Sequence, residues 1–202
     1  MRRTTIVLGS ILFLLTLAAT AQESRSEISL QGTGFFTKGS SGSGTSYSAT
    51  ETGGFLTTYR YHFNHWMSAE AAYGYNRDSQ NYLFSSSPFR IQSSIHQMTG
   101  SLVLNLPSRP GSRFSPYVLA GGGALVFSPT STQFNSLSGA QAQAKPVFVY
   151  GLGVNYAIRK TISLRAEYRG LVYGSPDFGF GALSTNSIAH TAEPSVGVTF
   201  RF

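Results

Sequence analysis

Acid–base or metal chemistry in this 202-residue chain has to be done with four histidines, eight carboxylates and no cysteine. His62, His65, His96 and His190 make no i, i+4 pair, and none stands with Asp and Glu at a metal-ligand spacing. They read as polar aromatics at an interface or in an interior, and neither a metal nor another cofactor is expected. One group of residues has the parts of a Ser-His-acid triad: Ser184, Ser187, His190 and Glu193 are close in sequence. Serine is abundant here, however, and no nucleophile-elbow motif accompanies it, so a rim hydrolase is the alternative and not the leading reading. The triple glycine at Gly121, Gly122 and Gly123 lacks the Lys-Ser/Thr and the following helix of a phosphate loop. Glycines in a curved sheet more often relieve crowding or let the wall bend.

The remaining candidates are charges with a shared position. Arg60, Glu70, Arg165, Glu167, Arg169 and Glu193, three of each sign, all occupy the polar side of alternating segments. Strict alternation is the mark of a strand with one apolar and one polar face. In residues 190–202, His190, Ala192, Pro194, Val196, Val198, Phe200 and Phe202 share one side, and Thr191, Glu193, Ser195, Gly197, Thr199 and Arg201 the other.

Seven further segments precede it. Residues 27–37 place Glu27, Ser29, Gln31 and Thr33 on the polar side; residues 52–63 place Phe55, Tyr59, Tyr61 and Phe63 outward and Leu56, Thr58, Arg60 and His62 inward. After a short turn at Asn64, His65 and Trp66, residues 67–76 turn Met67, Ala69, Ala71, Tyr73 and Tyr75 outward, which sets Glu70 opposite Arg60. Residues 94–106 put Met98, Leu102 and Leu104 on one side and Gln97, Thr99 and Ser101 on the other. Residues 114–127 have the poorest alternation, and their faces cannot be chosen. Residues 147–158 and 162–172 again alternate, with Leu152, Val154, Leu164 and Tyr168 out and Gly153, Asn155, Arg165, Glu167 and Arg169 in. An arginine at Val154 should therefore be costly, and a serine at the inward Gly153 much less so.

Between the strands, residues 38–50, 77–93, 128–145 and 174–188 read as long polar loops, alternating with short turns at 64–66, 107–111 and 159–161. Eight strands with long and short connectors in alternation form an all-β, eight-stranded antiparallel up-and-down transmembrane β-barrel. Aromatic residues are 13% of the chain and charged residues only 11%, which suits an outside that faces lipid. A soluble exported lipocalin-like barrel would instead place its apolar side around a ligand cavity. Here the apolar sides carry rows of aromatics and the polar sides both signs of charge, favouring a polar interior.

Arg2 and Arg3, the apolar run at 6–17 and the small residues Ala19 and Ala21 read as a cleavable leader over residues 1–21, leaving residues 22–202 as the barrel. The run is shorter than the roughly 20 residues that a spanning helix needs. The formal charge of +7 is scattered without a Lys/Arg cluster, so no nucleic-acid partner is expected.

The stretch at 149–158, VYGLGVNYAI, followed by ISLRAEYR at 162–169, resembles the sixth and seventh strands of the OmpA-like outer-membrane β-barrel family, and SPYVLAGGG at 115–123 is similar to its fifth. The closing strand, with Phe200 and the terminal Phe202, resembles that family's signal to the barrel assembly machinery. The resemblance covers the second half of the chain well. It implies a monomer in a Gram-negative-type outer membrane, with lipid, lipopolysaccharide and an unidentified extracellular ligand as partners. The family includes adhesins, complement-resistance proteins and porin-like barrels, so the expected role is structural or surface-interacting, with little or no pore activity and a lumen closed by the six charges.

Overall fold

The computed structural model describes residues 25–37, 40–42, 45–49, 52–84, 87–109, 111–129, 142–174 and 188–202. Ala19 and Ala21 of the expected leader, and Ser184 and Ser187, lie outside the described residues. The strands are β1 (Ser26–Thr37), β2 (Ser40–Gly42), β3 (Thr45–Ala49), β4 (Thr52–His62), β5 (Met67–Phe84), β6 (Ser87–Asn105), β7 (Phe114–Pro129), β8 (Gln143–Ala157), β9 (Ile162–Gly174) and β10 (Ile188–Arg201). β1 and β4 to β10 pair antiparallel in chain order, and β1 pairs with β10, so eight strands close into a barrel. The closing seam sets Ile28 opposite Phe200, Gly32 opposite Val196 and Phe36 opposite Ala192. Ser26 N donates to Phe202 O at 3.1 Å and Phe202 N to Ser26 O at 2.9 Å, joining the first and last strands at the end with the short turns.

Local chemistry shapes those turns. Asn64 Oδ1 accepts from the backbone N–H of Trp66 at 3.0 Å and of Met67 at 2.8 Å, the side-chain mimicry of a turn that asparagine favours. Gly111, between β6 and β7, has φ of 81°, a left-handed conformation that costs glycine little.

Outside, the apolar side of the strands forms a continuous exposed belt: Val196 is 68% exposed, and Leu30 and Leu152 are each 60%. Inside, the polar side is buried, with Ser29, Gln31, Thr58, Gln97 and Thr191 at 1% or less. This is the inverse of a water-soluble barrel, and it matches a wall that has lipid for solvent.

Two expected loops are largely strand. β5 and β6 run on as a ribbon to the pair Phe84–Ser87, through the segment read as a polar loop at 77–93. β2 and β3, within the segment read as a flexible loop at 38–50, form a hairpin whose β3 adds to β5 from Ala49–Gln80 to Thr45–Phe84. Beyond the belt neither face of a ribbon needs to be apolar, so the alternation that marks a membrane strand is missing although the backbone pairing continues.

Strand β7 turns Tyr117, Leu119, Leu125 and Phe127 inward, all buried, while Val118 and Ala120 face out. Its alternation is faint because both of its faces are apolar. With Phe35, Ile95, Val147, Val149, Leu171, Tyr173 and Ala189 these residues form a buried apolar cluster inside the barrel, in an interior expected to be mainly polar. Gly121 and Gly123 share the inward parity of β7, and a Cβ on either would run into the β6 backbone, so the glycines permit the close approach of the two strands.

The inward Gly153 is not the tolerant position that alternation suggests. A Cβ there would overlap the Tyr117 hydroxyl, so Gly153→Ser should be costly as well. Val154→Arg, in the lipid-facing belt, should destabilise the refolded barrel by about 2–4 kcal/mol near the bilayer midplane. Thr199→Val is the better inward control, since the buried Thr199 hydroxyl has no partner, and it should cost under about 1 kcal/mol. Urea unfolding in lipid vesicles measures all three, and equal costs for Val154→Arg and Thr199→Val would overturn the facing.

Candidate functional site in the lumen

An eight-stranded barrel is only just wide enough for its inward side chains to fill, so charges that share the inward parity have to meet. Arg60 and Glu70 meet first, because the turn after His62 sets them directly opposite on β4 and β5. Arg60 Nε donates to Glu70 Oε2 at 2.9 Å, and its Nη2 lies 2.7 Å from the same oxygen. Two more arginines reach Glu70 from β9: Arg169 Nη2 is 2.7 Å from Oε1, and Arg165 Nη1 is 3.3 Å from Oε2. One carboxylate thus binds three guanidinium groups.

Glu167 is the second hub. Arg169 Nε donates to its Oε1 at 2.6 Å, Arg60 Nη2 lies 3.7 Å from Oε2, and Tyr117 donates its hydroxyl to Oε2. The Arg60 guanidinium also stacks over the Tyr117 ring, 4.2 Å from its centroid. The side chains of Arg60, Glu70, Arg165, Glu167 and Arg169 are wholly excluded from solvent. Their lone pairs and protons are further satisfied by Asn155 Oδ1, which accepts from Arg165 Nε at 2.8 Å, and by Thr58 Oγ1, which accepts from Arg165 Nη1 at 3.2 Å.

Glu193 stands apart from both hubs. It points inward and lies opposite Arg169 in the register, but Arg169 turns its guanidinium to Glu70 and Glu167. Glu193 instead accepts from Gln97 Nε2 at 3.2 Å, across the barrel. Glu27 enters in its place. Its Oε2 accepts from Arg165 Nη2 at 2.8 Å, its Oε1 is 3.0 Å from His62 Nε2, and Arg201 pairs with the same oxygen. Glu27 stands on the polar side of its strand, yet Arg201 and Arg165 reach it only once β1 has closed against β10, which brings Arg165 in from 138 residues away.

Of the triad parts, the two described residues do not converge. His190 faces out and bonds through Nε2 to the Tyr150 hydroxyl at 2.7 Å, while Glu193 is buried in the lumen. His96 likewise bonds to Tyr73 on the outer wall, Nδ1 to Oη at 2.9 Å. Among the described residues, no group of three or more His, Asp or Glu side chains is placed to hold a metal ion.

A closed antiparallel barrel with an apolar belt outside and paired charges inside defines an integral membrane barrel. Residues 9–202 match the outer membrane protein beta-barrel domain, and the chain belongs to that family. Similar solved structures are Neisserial surface protein A (17% identity, TM-score 0.62, covering 88% of this chain and 97% of that one) and the outer membrane protein OprG from Pseudomonas aeruginosa (14%, 0.63, 90% and 98%). A third is Ail, the attachment invasion locus protein of Yersinia pestis, in complex with the heparin analogue sucrose octasulfate (20%, 0.54, 90% and 100%). No curated protein sequence matches the chain. At these identities the likeness extends to the fold alone.

Because Glu70 holds three arginines in a solvent-free site, Glu70→Ala should destabilise by about 3–5 kcal/mol, leaving buried cations without their counter-charge. Arg201→Ala should cost no more than about 1 kcal/mol, since that side chain is 45% exposed. Denaturant titration of the two variants, read by the heat-dependent gel shift of folded barrels, checks this; comparable losses would show that the lumen charges are not coupled.

Proposed function

We propose that this protein is a closed outer-membrane barrel with a structural or surface-interaction role and little or no pore activity. The observation that carries this reading is the filling of the lumen: fully buried ion pairs around Glu70 and Glu167, together with the apolar cluster around Leu125, Phe127, Val149 and Leu171. A solute would have to break several buried ion pairs or open a packed apolar layer, and either costs several kcal/mol. The interaction half of the reading is supported by the ribbon of β5 and β6 with the β2–β3 hairpin on its flank, at the end with the long connectors, which in such barrels faces outside. Backbone edges on such a ribbon can accept a strand from a partner. No catalytic role is part of this reading.

The barrel acts as a monomer surrounded by lipid and lipopolysaccharide, with an extracellular ligand whose chemistry is open. A leader over residues 1–21, cut after Ala21, would export it. Phe200 and Phe202, exposed at the end of β10, would be read by the barrel assembly machinery.

Planar-bilayer recording of the refolded protein should give at most small, intermittent conductance, rising in Glu70→Ala. A steady conductance of porin size in the unmutated protein would refute the closed lumen.

A further inference from the structure

Among the described residues, the charged side chains exposed at the end of the barrel with the short turns carry one sign. Arg109 and Arg113 flank the β6–β7 turn, Arg159 and Lys160 form the β8–β9 turn, and Arg25 and Arg201 mark the joined ends of β1 and β10; all are exposed. Glu27 is the one described side-chain carboxylate at this end, and it is buried against Arg165, His62 and Arg201. Backbone bonds hold the connectors side by side: Ala157 N donates to Arg113 O at 2.9 Å and Arg201 N to Thr161 O at 2.9 Å.

Each group of cations has a large apolar neighbour exposed beside it. Leu106 and Phe114 accompany Arg109 and Arg113, Ile158 precedes Arg159, and Phe200 and Phe202 flank Arg201, while Phe63 and Trp66 are exposed at the β4–β5 turn between them. Aromatic and apolar side chains at the edge of a lipid-facing belt place their neighbours at the level of the headgroups, and long cationic side chains there extend to the phosphates. Inside this ring the mouth has a recess of about 380 Å³, whose lining includes Arg25, His62, His65, Asn105 and Arg201.

We infer that this collar docks on the phosphate groups of anionic phospholipids in the periplasmic leaflet, holding the barrel at a set depth. The occupant is a lipid headgroup and not a free anion, because the cations are spread around the outside of the wall next to lipid-facing residues instead of converging on one point. Anionic lipid near a membrane surface contributes about 1 kcal/mol for each Lys or Arg, a factor of about five in affinity.

The test is the relative association of spin-labelled phosphatidylglycerol and phosphatidylcholine with the full barrel in vesicles of phosphatidylcholine. The unmutated protein should prefer phosphatidylglycerol about five-fold or more, falling as salt is added. The variants Arg109→Gln with Arg113→Gln, and Arg159→Gln with Lys160→Gln, should each lower the preference while keeping the heat-dependent gel shift. Arg77→Gln with Lys145→Gln, at the other end, should leave it unchanged. No preference in the unmutated protein, or the same loss in the far-end variant, would overturn the collar. Inorganic phosphate that abolishes the preference when chloride of equal ionic strength does not would instead mean a free-anion site and would also overturn it.

Discussion

A sheet that crosses hydrocarbon has no water to satisfy its edges, and each unpaired N–H or C=O there costs several kcal/mol. The pairing of β1 with β10 removes both edges at once. Much of the rest depends on that seam. Closure of eight strands fixes a narrow lumen, and a narrow lumen obliges inward side chains to meet across it. It also brings Glu27 of the first strand to Arg201 of the last.

The interior solves its packing in two ways. Around β4, β5 and β9, three arginines pair with the carboxylates Glu27, Glu70 and Glu167, with Tyr117, Asn155 and Thr58 adding further hydrogen bonds. Around β7 and β8 the same lumen is filled by Leu119, Leu125, Phe127, Val147 and Val149. A buried ion pair is weak evidence for net stability, because desolvation offsets much of the attraction. Its stronger effect is on geometry, since Glu70 accepts from three guanidinium groups only when β4, β5 and β9 are in register.

The outer surface divides along the barrel axis. The apolar belt ends at aromatic residues, and beyond it the two ends differ. One end is short, tightly turned and cationic; the other extends as a paired ribbon. Such an asymmetry means that the two ends present different chemistry, cationic side chains on one and a backbone-paired ribbon on the other.

The sequence by itself determined the strands with lipid on one face, because there the period-2 pattern is imposed directly by solvent: every inward and outward residue of β1, β4, β9 and β10 follows from it. It also determined the Arg60–Glu70 contact, since a short turn after His62 leaves one register for the two strands. Three features were decided only by the tertiary structure. β7 is apolar on both faces, so its orientation had no signal until β6 and β8 enclosed it. The ribbon beyond the belt has no lipid face, so its strands carry no period and exist through pairing alone. Finally, which carboxylate serves Arg165 and which is left to Gln97 depends on closure, because the groups that compete for each arginine lie up to 138 residues apart and come within reach only when the first strand meets the last.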